Sequence, residues 1–463
     1  MSAPLLGAVR RFVARTGDWP GLSSAYALTY RLTVRRLTRA TRRLPGAATV
    51  LLRGSAAGRI TPGLSDIDAF VVLRPGIDAR EEIVTVATLR AAIDAVNRPA
   101  PLVRDVHVVS PRELEGWARL SVYLLGALHV DAAPLWGRVE LPSPATGREV
   151  VGRALRRGVA WWTDRGLRQI LLEPGPVGRR LAARSFRKAR RFAESLAEAP
   201  DDIGPTMRAY NAPTLDPPAS VEDAVRALAR LDAALPDAPA LDVGDATEHP
   251  ILREAAAPIA EWVAPLRREA AWGGATLSTE GASRGDLRLY MVLDPEHPRA
   301  PDALRALARH LARAPLPRRS SFARCPFPIV VTPRQAARTV WLRWTALEPI
   351  ARLRHGRHLF GEVPAPRATR AEILDSLAYE AVHLLGGARE LLRVGGPSAA
   401  ERLRDLADNV VHAHERALEG EWSTVPIRPR PSRGGSAEQA FAALHPRVEA
   451  VRDPLLEAAI RAR

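Results

Sequence analysis

Apolar positions along the chain follow two rhythms, and their order sets out the expected elements. Three short runs of β-branched and aliphatic residues, 48–53, 66–73 and 102–109, read as buried strands. The first follows the stop signal Pro45-Gly46, and the second closes at Arg74-Pro75-Gly76. Helical spacing occupies 23–43, 79–96 and 146–198, the last interrupted at Pro174-Gly175-Pro176, with a further helix near 220–234. Residues 235–250 are rich in turn formers and acids and make the candidate linker.

Beyond the linker the order of elements recurs. Gly285-Asp286-Leu287-Arg288-Leu289-Tyr290-Met291-Val292-Leu293 parallels Ser65-Asp66-Ile67-Asp68-Ala69-Phe70-Val71-Val72-Leu73. Ile329-Val330-Val331-Thr332-Pro333-Arg334 parallels 107–112, and Leu359-Phe360-Gly361 parallels Leu135-Trp136-Gly137. A helical tail over 369–417 and 437–461 mirrors the helices after 146, and the Pro/Arg/Gly-rich 425–436 reads as a surface loop. The expected class is α+β: a small mixed sheet with helices and then a helical domain, the pair duplicated in tandem. The expected divisions are 1–140, 141–235, a linker and entry helix at 236–265, then 266–365 and 366–463.

Composition narrows the function classes. With 463 residues, 46% apolar and 25% charged, the chain is long enough for a large core without covalent staples. One cysteine, Cys325, excludes a disulfide framework and a CxxC zinc site. No apolar stretch is long enough for a membrane span, and the first residues lack a signal-peptide pattern, so a soluble cytoplasmic protein without a membrane partner is expected. The formal charge of +16 would suggest a polyanionic partner. It is concentrated: residues 1–60 hold eleven arginines and one acid, Asp18, and a second basic stretch surrounds Lys188, the only lysine. Aromatics are 5%, and no interleaved basic–aromatic strand of the kind that stacks bases is present, so nucleic acid is not the favoured partner.

The chemistry lies in Gly54-Ser55 followed by Asp66-Ile67-Asp68. Residues two apart on a strand share a face, so Asp66 and Asp68 present paired carboxylates, which repel unless a cation such as Mg²⁺ lies between them. Asp105, in the third strand, could close the set. Gly54 lets the backbone approach a ligand, and N–H groups with the Ser55 hydroxyl could hold a phosphate. The alternative is a set of solvated strand-end carboxylates. His107 shares a face with Asp105 and reads as structural. Glu113, Glu115 and Asp131 are candidates for an acidic acceptor pocket.

These residues, 52–73 with Asp105 downstream, resemble the DNA polymerase β-type nucleotidyltransferase superfamily, and with the Pro134-Leu135-Trp136-Gly137 segment they are most similar to the aminoglycoside and minimal nucleotidyltransferases. The resemblance covers about residues 25–200. It implies a nucleotidyltransferase fold with Asp66, Asp68 and Asp105 as metal-binding catalytic carboxylates, and Asp105 or another acid as the general base. Two Mg²⁺ ions are implied, with Mn²⁺ as a substitute. It further implies NTP binding by Gly54, Ser55, Ser65 and Lys188, and transfer of an NMP, AMP from ATP in the first instance, to a hydroxyl of a small-molecule acceptor. For Lys188 an exposed helix face is the competing reading. Protein, tRNA or a second nucleotide are alternative acceptors, and an NTP-sensing scaffold is the non-catalytic alternative.

The second copy has Asp286-Leu287-Arg288 in place of the carboxylate pair, Gly281-Ala282 in place of Gly54-Ser55, and Phe327 near the place of Asp105. It is expected to be catalytically dead. Some members of the resembled family are homodimers with active sites at the subunit interface. The chain is therefore expected to be a monomeric pseudo-dimer in which 266–463 shape the acceptor pocket.

Overall fold

The computed structural model describes residues 12, 13, 16, 19, 21–54, 65–173, 175–210, 217–240, 250–279, 287–316, 328–338, 357–365, 367–396, 398–420 and 435–462. Helix α1 (Leu22–Thr41) leads into strand β1 (Ala47–Arg53), and β2 (Ile67–Leu73) follows. Then come α2 (Ala79–Asn97), β3 (Val103–Val109), α3 (Pro111–Leu120), α4 (Val122–Asp131) and β4 (Ala133–Gly137). Four helices complete this half: α5 (Arg148–Leu172), α6 (Pro176–Glu198), α7 (Gly204–Tyr210) and α8 (Val221–Ala234).

After α9 (Pro250–Val263), the second half opens with β5 (Trp272–Thr279) and β6 (Leu287–Leu293). It continues through α10 (Ala300–Arg313), β7 (Ile329–Val331), α11 (Pro333–Ala337) and β8 (Arg357–Gly361). The tail is α12 (Arg370–Val394), α13 (Ala399–Asp405), a π-helical turn (Leu406–Val411), α14 (His412–Leu418) and α15 (Ala437–Arg461). The class is α+β, with two small mixed sheets.

The sheets have the orders β3-β2-β1-β4 and β7-β6-β5-β8. In each, the first two strands of the half pair antiparallel, and a helical crossover makes the third parallel to the second. β2 is central and almost wholly buried, which is why its sequence is a continuous apolar run after Asp68. One face of the first sheet (Val50, Ala69, Val71, Val106) packs under α1 and α2, against Tyr30, Leu37, Leu89 and Ile93.

The other face is covered by the opposite half of the chain. Leu51, Phe70, Val72 and Val109 share one core with Leu377, Val382 and Leu385 of α12 and with Phe441 and Leu444 of α15. α12 packs on α2, β3 and α3, while α5 packs on α10 and β7 of the second half. α5 and α12 have 25 residues each and begin 222 residues apart. Arg153 and Asp375 are separated by the same 222 residues, and they form an ion pair (3.5 Å) between the two helices.

Three sequence expectations change in detail. Asp66 lies just before β2 rather than on it, because pairing with β3 begins at Ile67. The helical stretch begins at Arg148, not 146. The linker is anchored at its start, since Ala240 forms a bridge with Arg367 and the Pro239 carbonyl accepts from the Ala368 N–H. Residues 241–249 and 421–434, the rest of that linker and most of the expected loop, lie outside the described residues.

Candidate active site

The site begins where β1 and β2 end side by side. Arg53 stands opposite Asp68 in the antiparallel register. Gly54 follows with φ +66°, a left-handed conformation that disfavours any side chain, and a Cβ placed there would lie 3.8 Å from Asp68 Oδ2. Ser55 lies outside the described residues. Ser65 is buried, and its carbonyl accepts from the Tyr30 hydroxyl of α1, which fixes the chain one residue before Asp66.

β3 runs parallel to β2 with an irregularity between Ile67 and Ala69 and brings Asp105 beside the pair. Asp66, Asp68 and Asp105 each offer an oxygen within 4.8 Å of the others. Asp68 Oδ1 is buried with no hydrogen-bond partner among the described residues. Burial first, then the charges of Asp66 and Asp105, push the Asp68 carboxyl up to about 7. An all-oxygen set with one orphaned oxygen fits a hard divalent cation such as Mg²⁺.

The pKa makes a test possible. A raised carboxyl pKa means that the metal-free folded state binds a proton which the unfolded chain releases from about pH 4 upward. Stability of the metal-free protein from this group is therefore greatest at acid pH and is lost as pH rises through about 7. Thermal melts from about pH 5 to about pH 8 should show that decline, and added Mg²⁺ should raise the midpoint more at the alkaline end. A Mg²⁺ effect independent of pH would remove Asp68 from the cation site.

The carboxylates open into a cavity of about 870 Å³. Arg53, Arg165, Arg184 and Lys188 supply its cationic side. Arg53 lies over the Phe70 ring at 5.7 Å, and Arg165 over Trp162 at 5.3 Å. Lys188 is buried, so the exposed-face reading fails. Its ammonium sits 4.1 Å from the Trp162 centroid and 3.9 Å from that of Tyr210. Burial, then the charges of Arg184, Arg165 and Arg53, hold its pKa well below the usual lysine range. Sequence held the signal: Leu181, Ser185, Lys188 and Phe192 share one helix face, and all four are buried.

His107 lines the cavity and stacks on Phe70 at 4.8 Å. Burial and then Arg53 lower its pKa, so it is neutral near pH 7. The arginines of α1 and those just after it do not line the cavity. Of the basic residues in 1–60, Arg53 lines it.

The far wall comes from α12, whose Tyr379, Glu380, His383 and Glu390 all face the cavity. His383 lies between Trp117 (5.0 Å) and Tyr379 (4.4 Å), with its Nε2 2.7 Å from Ser121 Oγ. Burial, then Arg157, pushes its pKa down to about 3, leaving it neutral. Glu380 meets the buried His414 at 3.2 Å, and Glu390 pairs with Arg393 at 2.5 Å. Of the acids expected to form an acceptor pocket, only Asp131 lines the cavity. Glu113 is buried and engaged by Arg389, and it closes a capping box with Ser110; Glu115 is exposed. In the second half Arg288 of β6 stands opposite Ser278, the register place of Asp68, and is buried. Gly281, Ala282, Asp286 and Phe327 lie outside the described residues.

Searches against family models, curated proteins and solved structures find no match to this chain.

Proposed function

We propose that the chain is a Mg²⁺-dependent nucleotidyltransferase of the DNA polymerase β type, moving an NMP from an NTP, ATP first among them, to the hydroxyl of a small-molecule acceptor. The carrying observation is the three-carboxylate cluster with its orphaned Asp68 oxygen, open to a cavity lined by arginines. Asp66, Asp68 and Asp105 would hold the metal, which when bound supplies Lewis-acid neutralisation of phosphate charge. The acceptor oxygen forms a bond to the α-phosphorus as the bond to the pyrophosphate oxygen breaks. The hydroxyl proton passes to Asp105, the most exposed of the three carboxylates. Arg53, Arg165 and Arg184, with Gly54 and the neighbouring Ser55 and Ser65, receive the triphosphate. Lys188 props the aromatic floor behind it, its Nζ set over the Trp162 and Tyr210 rings.

The same reading takes the halves as tandem copies, the first active and the second degenerate, with divisions near 140, 235, 265 and 365. Identical strand order, the matched α5 and α12, and Arg288 at the Asp68 position support it. The second copy acts by lending α12 as the acceptor-side wall. A cavity of this size is in the range of small-molecule sites, which favours a small acceptor over a macromolecular one.

The test is incubation with Mg²⁺ and each α-labelled NTP, alone and with candidate acceptors. Label on a small molecule, with release of pyrophosphate, is expected; label on RNA or on the protein itself would change the acceptor, and no transfer to anything would sink the activity. Truncation near residue 240 is a poor probe of the second half, because it would strip α12 and α15 from a core shared with the first sheet. Glu380→Gln is cleaner. It should raise the KM for acceptor about tenfold while leaving the KM for NTP within about twofold, as loss of one polar contact predicts.

A further inference from the structure

A run of arginines on α1 takes no part in the cavity. Between residues 19 and 65 the chain has no acid, and α1 with the two residues after it carries six arginines: 31, 35, 36, 39, 42 and 43. All six are exposed and lie on the outward side of α1, opposite the face where Tyr30, Leu37 and Thr41 enter the core. None of the six forms an ion pair among the described residues, whereas exposed arginines elsewhere do so, Arg74 with Glu81 and Arg226 with Asp223 among them. At 100° per residue the six fall within about half of the helix circumference. The patch is therefore a one-sided cationic strip of about three and a half turns over the C-terminal half of α1 and the two residues after it.

The same outward face exposes apolar side chains that a solvated helix has no use for. Leu28 and Leu32, one turn apart, are 51% and 43% exposed, and Trp19 just upstream is 57% exposed. Arginines alone would suit any polyanion. A nucleic-acid backbone, however, makes no use of two aliphatic side chains and one indole at the head of the strip. A phospholipid headgroup layer uses both, since leucine and tryptophan enter the acyl boundary while guanidinium groups pair with phosphates.

We propose that the outward face of α1 docks the protein onto an anionic membrane surface, with Trp19, Leu28 and Leu32 inserted and the arginine strip on the headgroups. This is peripheral contact. No helix among the described residues is long and apolar enough to cross a membrane, and the sequence expectation of no membrane partner rested on the lack of a span and of a signal-peptide pattern, neither of which bears on surface docking. Docking does not depend on the proposed transfer activity, because none of these residues lines the cavity.

The experiment is co-sedimentation of the full chain with vesicles of phosphatidylcholine, with and without phosphatidylglycerol, at low ionic strength. Binding to the anionic vesicles alone is expected, with release at about 1 M salt, where charges are screened within about 3 Å. Arg35→Gln with Arg36→Gln and Arg39→Gln should weaken partitioning about a hundredfold, at about fivefold per charge. Leu28→Ser with Leu32→Ser should weaken it severalfold without lowering the thermal midpoint. Equal binding to both vesicle types, or arginine variants that bind as the parent does, would overturn the proposal. So would absence of vesicle binding together with arginine-dependent RNA binding that ignores Leu28 and Leu32, which would reassign the strip to nucleic acid.

Discussion

Asp68→Asn should abolish transfer, by about three orders of magnitude or more, while leaving the protein folded. The substitution keeps shape and removes a carboxylate with an oxygen buried without a partner among the described residues. If Asp68 positions a cation that stabilises charge on the reacting phosphate, its loss removes about 4 kcal/mol from the transition state, or about a thousandfold in rate. The same change should help the metal-free fold. Asp68 is held near a pKa of about 7 by burial and by Asp66 and Asp105, so above that pH its charge is a burden on the native state. Asparagine removes the burden. The variant should therefore melt at or above the parent at alkaline pH without metal, lose the decline with pH, and gain nothing from Mg²⁺. Sites that sacrifice stability for function show this inverse pattern. A variant that keeps more than a tenth of the parent rate would dismiss Asp68 from the chemistry, and one that keeps its Mg²⁺ stabilisation would dismiss it from the metal.

Much of this site is legible in the sequence, and the rest is hidden for identifiable reasons. β1, β2 and β3 are apolar runs bounded by Gly and Pro, so both their existence and their order could be read. Helix starts at Ser110, Ser220, Thr369 and Ser436 carry capping boxes, a local code. Asp68 and Asp105 follow from their places on one strand and its neighbour, and Asp66 from its place immediately before that strand. Arg53, Arg165 and Arg184 could not be picked out, because arginine is everywhere in this chain and only tertiary position separates a cavity arginine from a solvated one. Glu113 was misread for a related reason. Its helix position is plain, but its partner Arg389 is 276 residues away, and nothing local announces the pair. The α12 wall was inferred as a half but not by residue, since periodicity says which face of a helix is buried and not what it is buried against.

Arg389 is where that long-range arrangement becomes testable. Its guanidinium is 1% exposed and spans the halves: Nε donates to Glu82 Oε2 at 2.7 Å and Nη2 to Glu82 Oε1 at 3.0 Å. Nη1 donates to Glu113 Oε2 at 2.6 Å and to the Val108 carbonyl at 3.1 Å. Burial alone would raise the Glu82 carboxyl, but hydrogen bonds from His445 and the Arg389 charge outweigh it and hold the pKa below the usual range. Two buried carboxylates thus depend on one cation, helped by His445 Nε2 at 3.3 Å from Glu82. Arg389→Met leaves them facing each other uncompensated and should destabilise the protein by about 3–5 kcal/mol, read as a lowered denaturant midpoint. Combining it with Glu82→Gln and Glu113→Gln removes the stranded charge and should recover most of the loss, because an apolar or neutral replacement of a whole buried cluster is close to neutral. The function should not return with the stability. Arg389 fixes α12 against β3, the strand of Asp105, and without that lock Glu380, His383 and Glu390 lose their register against the carboxylates. The triple variant should therefore keep its KM for NTP and show a raised KM for acceptor. A single Arg389→Met variant within about 1 kcal/mol of the parent would mean that the ion cluster does not hold the halves together.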